Sequence, residues 1–470
     1  MKLTGIVLDA SHTKMGKSCV KCSEAATVVA RLGDPFCRAC FLEYFTHKFR
    51  ATFGKSKAVR NGEKVLIAFS GGQSSCAMLH LVKEGLQNGV HKKLRYIPGV
   101  VFIDESICME QPQNDKNAQL ESIRGWLEDS SFPAYISSLE EAMKASDSEV
   151  RILSVSSPEE VEVDFKNLKI DPSLNEKFIK LWHSTSTLTA KEDLLHILRV
   201  QLLKRISKQL GYTKIMSGES GTRLATRILT DLSKGRGSSV SQDMSFVDGR
   251  DKDVSILRPM REFNSKEIAM YNHQCGLQHV FVPNISTKAG QFTSINALTE
   301  EFVNGLQTNF PSTVSTILKT GEKLTSQQDA ANTSSVCLIC QSLLDMSELP
   351  CSASSATRYS QKLQKDDTNS MHMACNEAKD TCVASKPETS SCCGQGDGSC
   401  QSLKKNPELV SDDVSVYLCY GCRLMIKDVT DCSTLPPSVI DEVQRQKRRE
   451  GMREEIQDFL LNDDDDGDDR

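Results

Sequence analysis

Eight of this chain's eighteen cysteines fall into four Cys-x2-Cys pairs, and pairs that share one site tie distant backbone together. Cys19-x2-Cys22 and Cys37-x2-Cys40 stand fourteen residues apart, whereas 78 residues separate Cys337-x2-Cys340 from Cys419-x2-Cys422. Two thiolate pairs close a tetrahedral site around Zn²⁺, and four protein ligands leave no position open for catalysis, so each centre is expected to be structural. The longer loop is no obstacle, because closure entropy grows by only about 0.6 kcal/mol per doubling of length. The alternative is a set of unliganded thiols, and Cys375, Cys382, Cys392, Cys393 and Cys400 compete as ligands for the second centre.

So many cysteines would suit disulfides in a secreted protein. The first ten residues, however, hold too short an apolar stretch for a signal peptide, and no run approaches the ~18 apolar residues of a membrane span. An intracellular, cytoplasmic protein without a membrane partner is expected, in which reduced thiols bind metal. The formal charge of −5 is that of residues 461–470 alone, with six Asp and one Arg. Within the neutral remainder, residues 194–237 carry nine Lys/Arg against Glu219 and Asp231. That stretch reads either as a surface for a polyanion or as solvated helix faces.

Between the cysteine sets the pattern alternates. Phe41, Phe45, Phe49 and Phe53 recur at helical spacing and are expected to be core. Val65 to Phe69 is a continuous apolar run ending in Ser70-Gly71-Gly72, as a buried parallel strand entering a turn reads, with a helix expected from about Ser74. Strands are further expected at Val100 to Asp104, Ala134 to Ile136, Lys214 to Met216 and Val254 to Leu257. Helices are expected over Leu195 to Leu210 and Thr222 to Leu232, with another opened by a capping box at Asn264 to Glu267. Strands alternating with helices imply a doubly wound α/β fold, a parallel sheet covered on both faces. Residues 341–413, rich in Ser and poor in apolar side chains, are expected to be disordered, as is the acidic tail.

Ser70-Gly71-Gly72-Gln73-Ser74-Ser75 lies where a strand meets a helix. Glycines admit a phosphate to the backbone there, and the amides and the hydroxyls of Ser70, Ser74 and Ser75 can donate to it. With the preceding strand, the motif resembles the PP-loop of the N-type ATP pyrophosphatases, which adenylate a carbonyl oxygen before a nucleophile displaces it. Ser217-Gly218-Glu219-Ser220 and the flanking cysteine pairs are similar to the tRNA 2-thiolation branch of that family, and most similar to its second, non-catalytic cytoplasmic subunits. The resemblance spans about residues 15–345 and 414–430.

Departures from the family pattern bear on chemistry. Active members read Ser-Gly-Gly-x-Asp-Ser, and Ser74 stands at the Asp position. Their Thr-Gly-His-Asn-x-Asp-Asp is matched by residues 217–223, with Glu219 for His, Ser220 for Asn, Thr222 for the first Asp and Arg223 for the second. A guanidinium cannot ligate Mg²⁺, but it can hold a phosphate. The cysteines that catalytic thiolation subunits carry in the α/β domain have no counterpart in residues 183–190; Cys76 and Cys275 read as core, and Cys108 is unassigned.

The resemblance implies an adenine nucleotide α-hydrolase-like domain over residues 61–330 and a zinc module with a basic helix over 1–60. A second zinc module spans 331–430 around the insert, and a helix with the acidic tail fills 431–470. It implies a subunit of the complex that 2-thiolates the tRNA wobble uridine, paired with a catalytic PP-loop paralogue and supplied with sulfur by a thiocarboxylated ubiquitin-like carrier. Ser70, Gly71, Gly72, Ser74, Ser75, Ser217 and Gly218 would form a degenerate phosphate pocket, with ATP binding in doubt. Arg199, Lys204, Arg205, Lys208, Arg223, Arg227, Lys234 and Arg236 would face tRNA. Two alternatives are an active sulfurtransferase that recruits Glu219 or Asp104 as metal ligand, and a zinc-dependent RNA-binding adaptor.

Overall fold

The computed structural model describes residues 18–30, 33–87, 93–109, 112–145, 147–155, 171–283, 285–286, 290, 293–324, 336–344 and 414–455. The chain divides into two units, and all described residues belong to the one formed by Met1–Asp345 and Leu409–Arg470. Of the Ser-rich insert expected to be disordered over 341–413, residues 341–344 are ordered, with Leu343 bridging Val336, which corrects that bound; residues 345–413 and the acidic tail lie outside the described residues.

The unit is built on a seven-stranded sheet. A short antiparallel hairpin, β1 (Val28–Ala30) and β2 (Asp34–Phe36), precedes helix α1 (Arg38–Ser56). There follow β3 (Lys64–Ala68), α2 (Gln73–Leu86), β4 (Ile97–Asp104), α3 (Gln113–Ser130), β5 (Ala134–Ser138), β6 (Leu153–Ser154), α4 (Pro172–Ser184) and α5 (Leu188–Gln209). Then come β7 (Lys214–Ser217), α6 (Gly221–Ser233), α7 (Val240–Met244), β8 (Val247–Asp248), β9 (Ser255–Leu257), α8 (Ser265–Cys275), α9 (Ile295–Asn309) and α10 (Thr313–Lys323). Helices α11 (Tyr420–Lys427) and α12 (Pro437–Glu455) end the described chain.

Spatial order is β6-β5-β4-β3-β7-β9-β8. The five central strands are parallel, as expected, and the short edge strands β6 and β8 add antiparallel pairs at either side. Each edge pairs over just two residues, too few for a period-2 pattern to register in sequence.

The central strands read as unbroken apolar runs because both faces are covered. Leu66, Val101, Ile103, Ile215 and Ile256 pack into one core with α4, α5 and the C-terminal cysteine module. Their neighbours Val65, Ile67, Val100, Phe102, Met216 and Leu257 point the other way, into a core shared with α1, α2, α3 and α8. The phenylalanine stripe is core as expected: Phe45 stacks on Tyr271 at 4.3 Å between ring centroids and lies 4.4 Å from Phe263. It thereby locks α1 to α8, whose capping box forms at Asn264 and Glu267.

Strand order changes direction between β3 and β7, which puts the turn after β3 and the turn after β7 side by side. Open α/β sheets bind ligands in the crevice at such a switch point, beyond the carboxyl ends of the strands. Phe45→Ala, by emptying a fully buried ring site at the α1–α8 contact, is expected to lower unfolding free energy by about 3–5 kcal/mol, read from chemical denaturation of the intact chain.

Candidate functional site

The loop after β3 forms the expected glycine turn between strand and helix, and it closes on itself. Gly71 takes a φ of +73°, a conformation glycine adopts at little cost, and its carbonyl accepts from the Val280 amide at 2.9 Å. The Ser75 hydroxyl donates to the Gly72 carbonyl at 2.9 Å and sits 3.2 Å from the Ser70 hydroxyl, while the Ser70 amide donates to Ser75 Oγ at 3.3 Å. Gly218, in the turn after β7, presses against this loop, and a Cβ there would stand 3.2 Å from the Ser75 backbone. Ser70, Gly71, Gly72, Ser75, Ser217 and Gly218 thus meet at the switch point. Ser74, at the Asp position of active members, has a buried hydroxyl with no hydrogen-bond partner.

Beyond the strand ends lie charges that pair with one another. Glu219, just after β7, is gripped by Arg227 of α6 and by Arg258, which follows β9, each at 3.0 Å. Burial raises its carboxyl, but the two guanidiniums outweigh burial and hold it below the ordinary glutamate range. Arg227 also reaches Asp231 at 3.5 Å and contacts His196 Nε2. Burial, followed by the Arg227 and Arg199 charges, keeps His196 neutral, so that it accepts from Arg227. Arg199 forms a two-pronged ion pair with Glu105, just after β4. Asp104, the last residue of β4, is capped by the Ser106 amide at 2.9 Å and hydroxyl at 3.2 Å, and burial raises its carboxyl.

This arrangement does not fit a magnesium nucleotide. The phosphate turn carries Ser74 in place of a carboxylate, Thr222 and Arg223 stand where the Asp pair would be, and a hard cation needs oxygen ligands. Glu219 and Asp104, the two carboxylates that sequence offered as substitutes, are already engaged.

The same network engages most of the basic stretch within the chain. Lys234 and Arg236 both bind buried Asp193, at 2.6 and 3.1 Å, and Lys204 is buried and donates to Gln341 at 2.6 Å. Arg205 donates to the backbone carbonyls of Glu141, Lys144, Ala145 and Ser148, and Lys208 pairs with Asp251 and Asp253 at 3.0 Å each. Arg199 and Arg227 are ion-paired as described. Only Arg223 of the eight is exposed without an ion-pair partner among the described residues. Sequence reasoning overlooked Glu105, Asp193, His196 and Arg258, which carry no local motif.

Each cysteine set gathers as expected. The four Sγ atoms of Cys19, Cys22, Cys37 and Cys40 lie within 4.8 Å of one another, as do those of Cys337, Cys340, Cys419 and Cys422. Both centres share one plan. A turn supplies the first pair, and a helix N-terminus supplies the second: Cys37 caps α1, with Cys40 in its first turn, and Cys419 caps α11, with Cys422 in its first turn. Helix N-termini favour thiolates. Sulfur separations of 3.5 Å (Cys22 to Cys37), 3.7 Å (Cys22 to Cys40) and 3.6 Å (Cys340 to Cys419) match the ~3.8 Å edge of a tetrahedron around one ion at about 2.3 Å from each thiolate. Either set can hold a metal ion.

Fold and site together define a PP-loop-type α/β domain whose phosphate turn lacks its acidic residue, set between two tetrathiolate metal modules. The family model described as cytoplasmic tRNA 2-thiolation protein 2 matches residues 294–424. Cytoplasmic tRNA 2-thiolation protein 2-A of Xenopus laevis is 40% identical over 98% of both chains, and cytoplasmic tRNA 2-thiolation protein 2 of Homo sapiens is 35% identical over 96% of this chain and 94% of its own. The chain belongs to the cytoplasmic tRNA 2-thiolation protein 2 family. Among solved structures, the U34-tRNA thiolase NcsA from Methanococcus maripaludis with its [4Fe-4S] cluster is similar at 15% identity and a TM-score of 0.47, over 65% of this chain and 87% of that one.

Glu219→Gln removes the anion between two buried guanidiniums. Breaking such a pair costs about 3–5 kcal/mol; with Asp231 and Asp248 still facing Arg227 and Arg258, a loss of about 2–3 kcal/mol is expected in denaturation at neutral pH. Because the folded-state pKa of Glu219 is depressed, its contribution is present above the unfolded value and lost as pH falls through the folded one. The gap between wild type and variant should therefore narrow on acidification below the ordinary glutamate range.

Proposed function

We propose that this chain is the non-catalytic subunit of a cytoplasmic complex that 2-thiolates the wobble uridine of tRNAs, pairing with a catalytic PP-loop paralogue. In this reading the paralogue activates the uridine and receives sulfur from a thiocarboxylated ubiquitin-like carrier, while this chain stabilises its partner and extends the tRNA surface. The observation that carries the proposal is Glu219 locked between Arg227 and Arg258 at the switch point, beside a phosphate turn with Ser74 where a carboxylate would handle Mg²⁺. Family membership supports the pathway and the compartment, through the names of the relatives.

Zinc is the metal we assign to both cysteine sets. A single tetrahedral ion accounts for the sulfur spacing, whereas the cysteines of a four-iron cluster bind four separate irons and stand farther apart. Zinc would supply no chemistry beyond cross-linking: the N-terminal centre would hold the β1–β2 hairpin against α1, and the C-terminal one would close the loop around the insert. Of the basic residues proposed to meet tRNA, Arg223 has the free guanidinium for a phosphate. The others are engaged within the chain, Arg199, Lys208, Arg227, Lys234 and Arg236 by carboxylates, Lys204 by Gln341 and Arg205 by backbone carbonyls.

The test is reconstitution of the pair with a tRNA transcript, each PP-loop disabled in turn. Ser70→Ala in this chain is expected to leave 2-thiouridine formation within about twofold of wild type, whereas the same change in the paralogue abolishes it. Loss of thiolation from Ser70→Ala in a normally folded complex, or AMP and pyrophosphate release by this chain alone, would establish the active-enzyme alternative instead. Arg223→Glu is expected to weaken tRNA binding and lower its salt slope by about one unit, measured by filter binding across a salt series. Cys19→Ser or Cys337→Ser should each remove one equivalent of zinc by elemental analysis.

A further inference from the structure

Where α6 runs out, the turn Lys234-Gly235-Arg236 interlocks with the N-terminus of α11, which carries two ligands of the C-terminal metal centre. The fit is reciprocal. Gly235, at φ +72°, lies under the Tyr420 ring, so that a Cβ there would come within 2.4 Å of it. Gly421, between Cys419 and Cys422, lies under the Arg236 side chain, and a Cβ there would meet Arg236 Cγ at 2.3 Å and Nε at 2.7 Å. Two positions without side chains, on two elements, thus let an arginine and a tyrosine cross.

Arg236 is 9% exposed. Asp193 Oδ2 accepts from Nη2 at 3.1 Å, and Asp193 Oδ1 is held by Lys234 at 2.6 Å, so one edge of the guanidinium is fixed. The N–H at Nε is buried and has no hydrogen-bond partner, sulfur included, among the described residues. A buried donor left unpaired costs about 1–3 kcal/mol, and Gly421, over which Arg236 lies, stands in sequence between the ligands Cys419 and Cys422. A divalent ion with four thiolates carries a net charge of −2 in a buried setting, so a fixed cation beside it offsets that charge.

We propose that Arg236 is a positioning residue of the C-terminal metal centre, laid across Gly421 with its unpaired Nε–H available to the thiolates of the loaded centre and its far edge anchored by Asp193. The basic stretch that sequence offered as a nucleic-acid face thereby contributes to holding a metal. The proposal rests on the reading that the second cysteine set binds one ion; wild-type protein containing a single equivalent of zinc would overturn that reading first. Lys234 supports Arg236 only through their shared carboxylate.

The test uses the full-length chain loaded with zinc, and separately with Co²⁺ as a spectroscopic probe. Arg236→Gln is expected to release one of the two zinc ions to a chelator at least about tenfold faster than wild type, the other being unchanged. In the cobalt form it should shift the thiolate-to-metal charge-transfer band while the tetrahedral d–d bands persist. Asp193→Asn should move both readouts in the same direction. If Arg236→Gln does not fold, Arg236→Lys, which keeps the charge but not the Nε–H, is expected to shift the band and release the ion at an intermediate rate. Two zinc ions released by Arg236→Gln at the wild-type rates would overturn the assignment, as would a folded Arg236→Lys protein with wild-type release and an unshifted band.

Discussion

A carboxylate placed beyond the strand ends of an α/β sheet, away from water, has to be neutralised by something. In this chain the neutralising groups are built in. Glu219, Glu105, Asp193 and Asp248 are each met by arginine or lysine from α5, α6, the turn after α6 or the segments flanking β9, and the pairs share members: Arg227 links Glu219 to Asp231, and Arg258 links Glu219 to Asp248. Pairing of this kind is worth little net stability compared with apolar packing, yet removing one partner strands the other, so the members are held as a set. The crevice where related folds place a ligand is thereby committed to internal contacts. That supports an assisting role for the chain more directly than the loss of any single motif residue.

The second metal module depends on this network from the other side. Its cysteines come from segments 78 residues apart, and the segments are fastened to the α/β domain before any ion is considered. Gln201 donates to the Ile339 carbonyl, Lys204 to Gln341, and Arg250 to Ser342, while Asp428 accepts from the Ser186 amide and the Thr187 hydroxyl. The logarithmic growth of closure entropy makes so long a loop tolerable, and docking on α5 restricts the segments further. A tetrathiolate centre formed there would link the C-terminal chain to the helices that carry the basic residues.

Several parts of this architecture are legible without coordinates. Val65 to Phe69 and Val100 to Asp104 read as strands because burial on both faces leaves no polar position, and the Asn264 capping box reads as a helix start because its hydrogen bonds are local. The cysteine spacings announce their sites for the same reason. Helix α4, the α9–α10 pair and the edge strands escape sequence reading. Leu298 and Phe302 of α9 remain exposed at 48% and 57%, so its pattern does not separate a buried from a solvated face.

What the sequence determined by itself was therefore everything carried by short-range pattern: the α/β class, the glycine turn after β3 and the serine in place of its carboxylate, the phenylalanine core of α1, and the two sets of four thiols that can hold a metal. What only the tertiary structure decided was the meaning of the charge. The nine basic residues of the 194–237 stretch outnumber its two acids along the chain, because the partners Glu105, Asp251 and Asp253 lie outside it, and Asp193 lies just before it. Electrostatic energy depends on distance through space, and a net charge counted along a segment contains no such distance. Folding engages most of the most conspicuous candidate for a nucleic-acid face in ion pairs and hydrogen bonds within the chain, leaving Arg223 exposed outside them among the described residues.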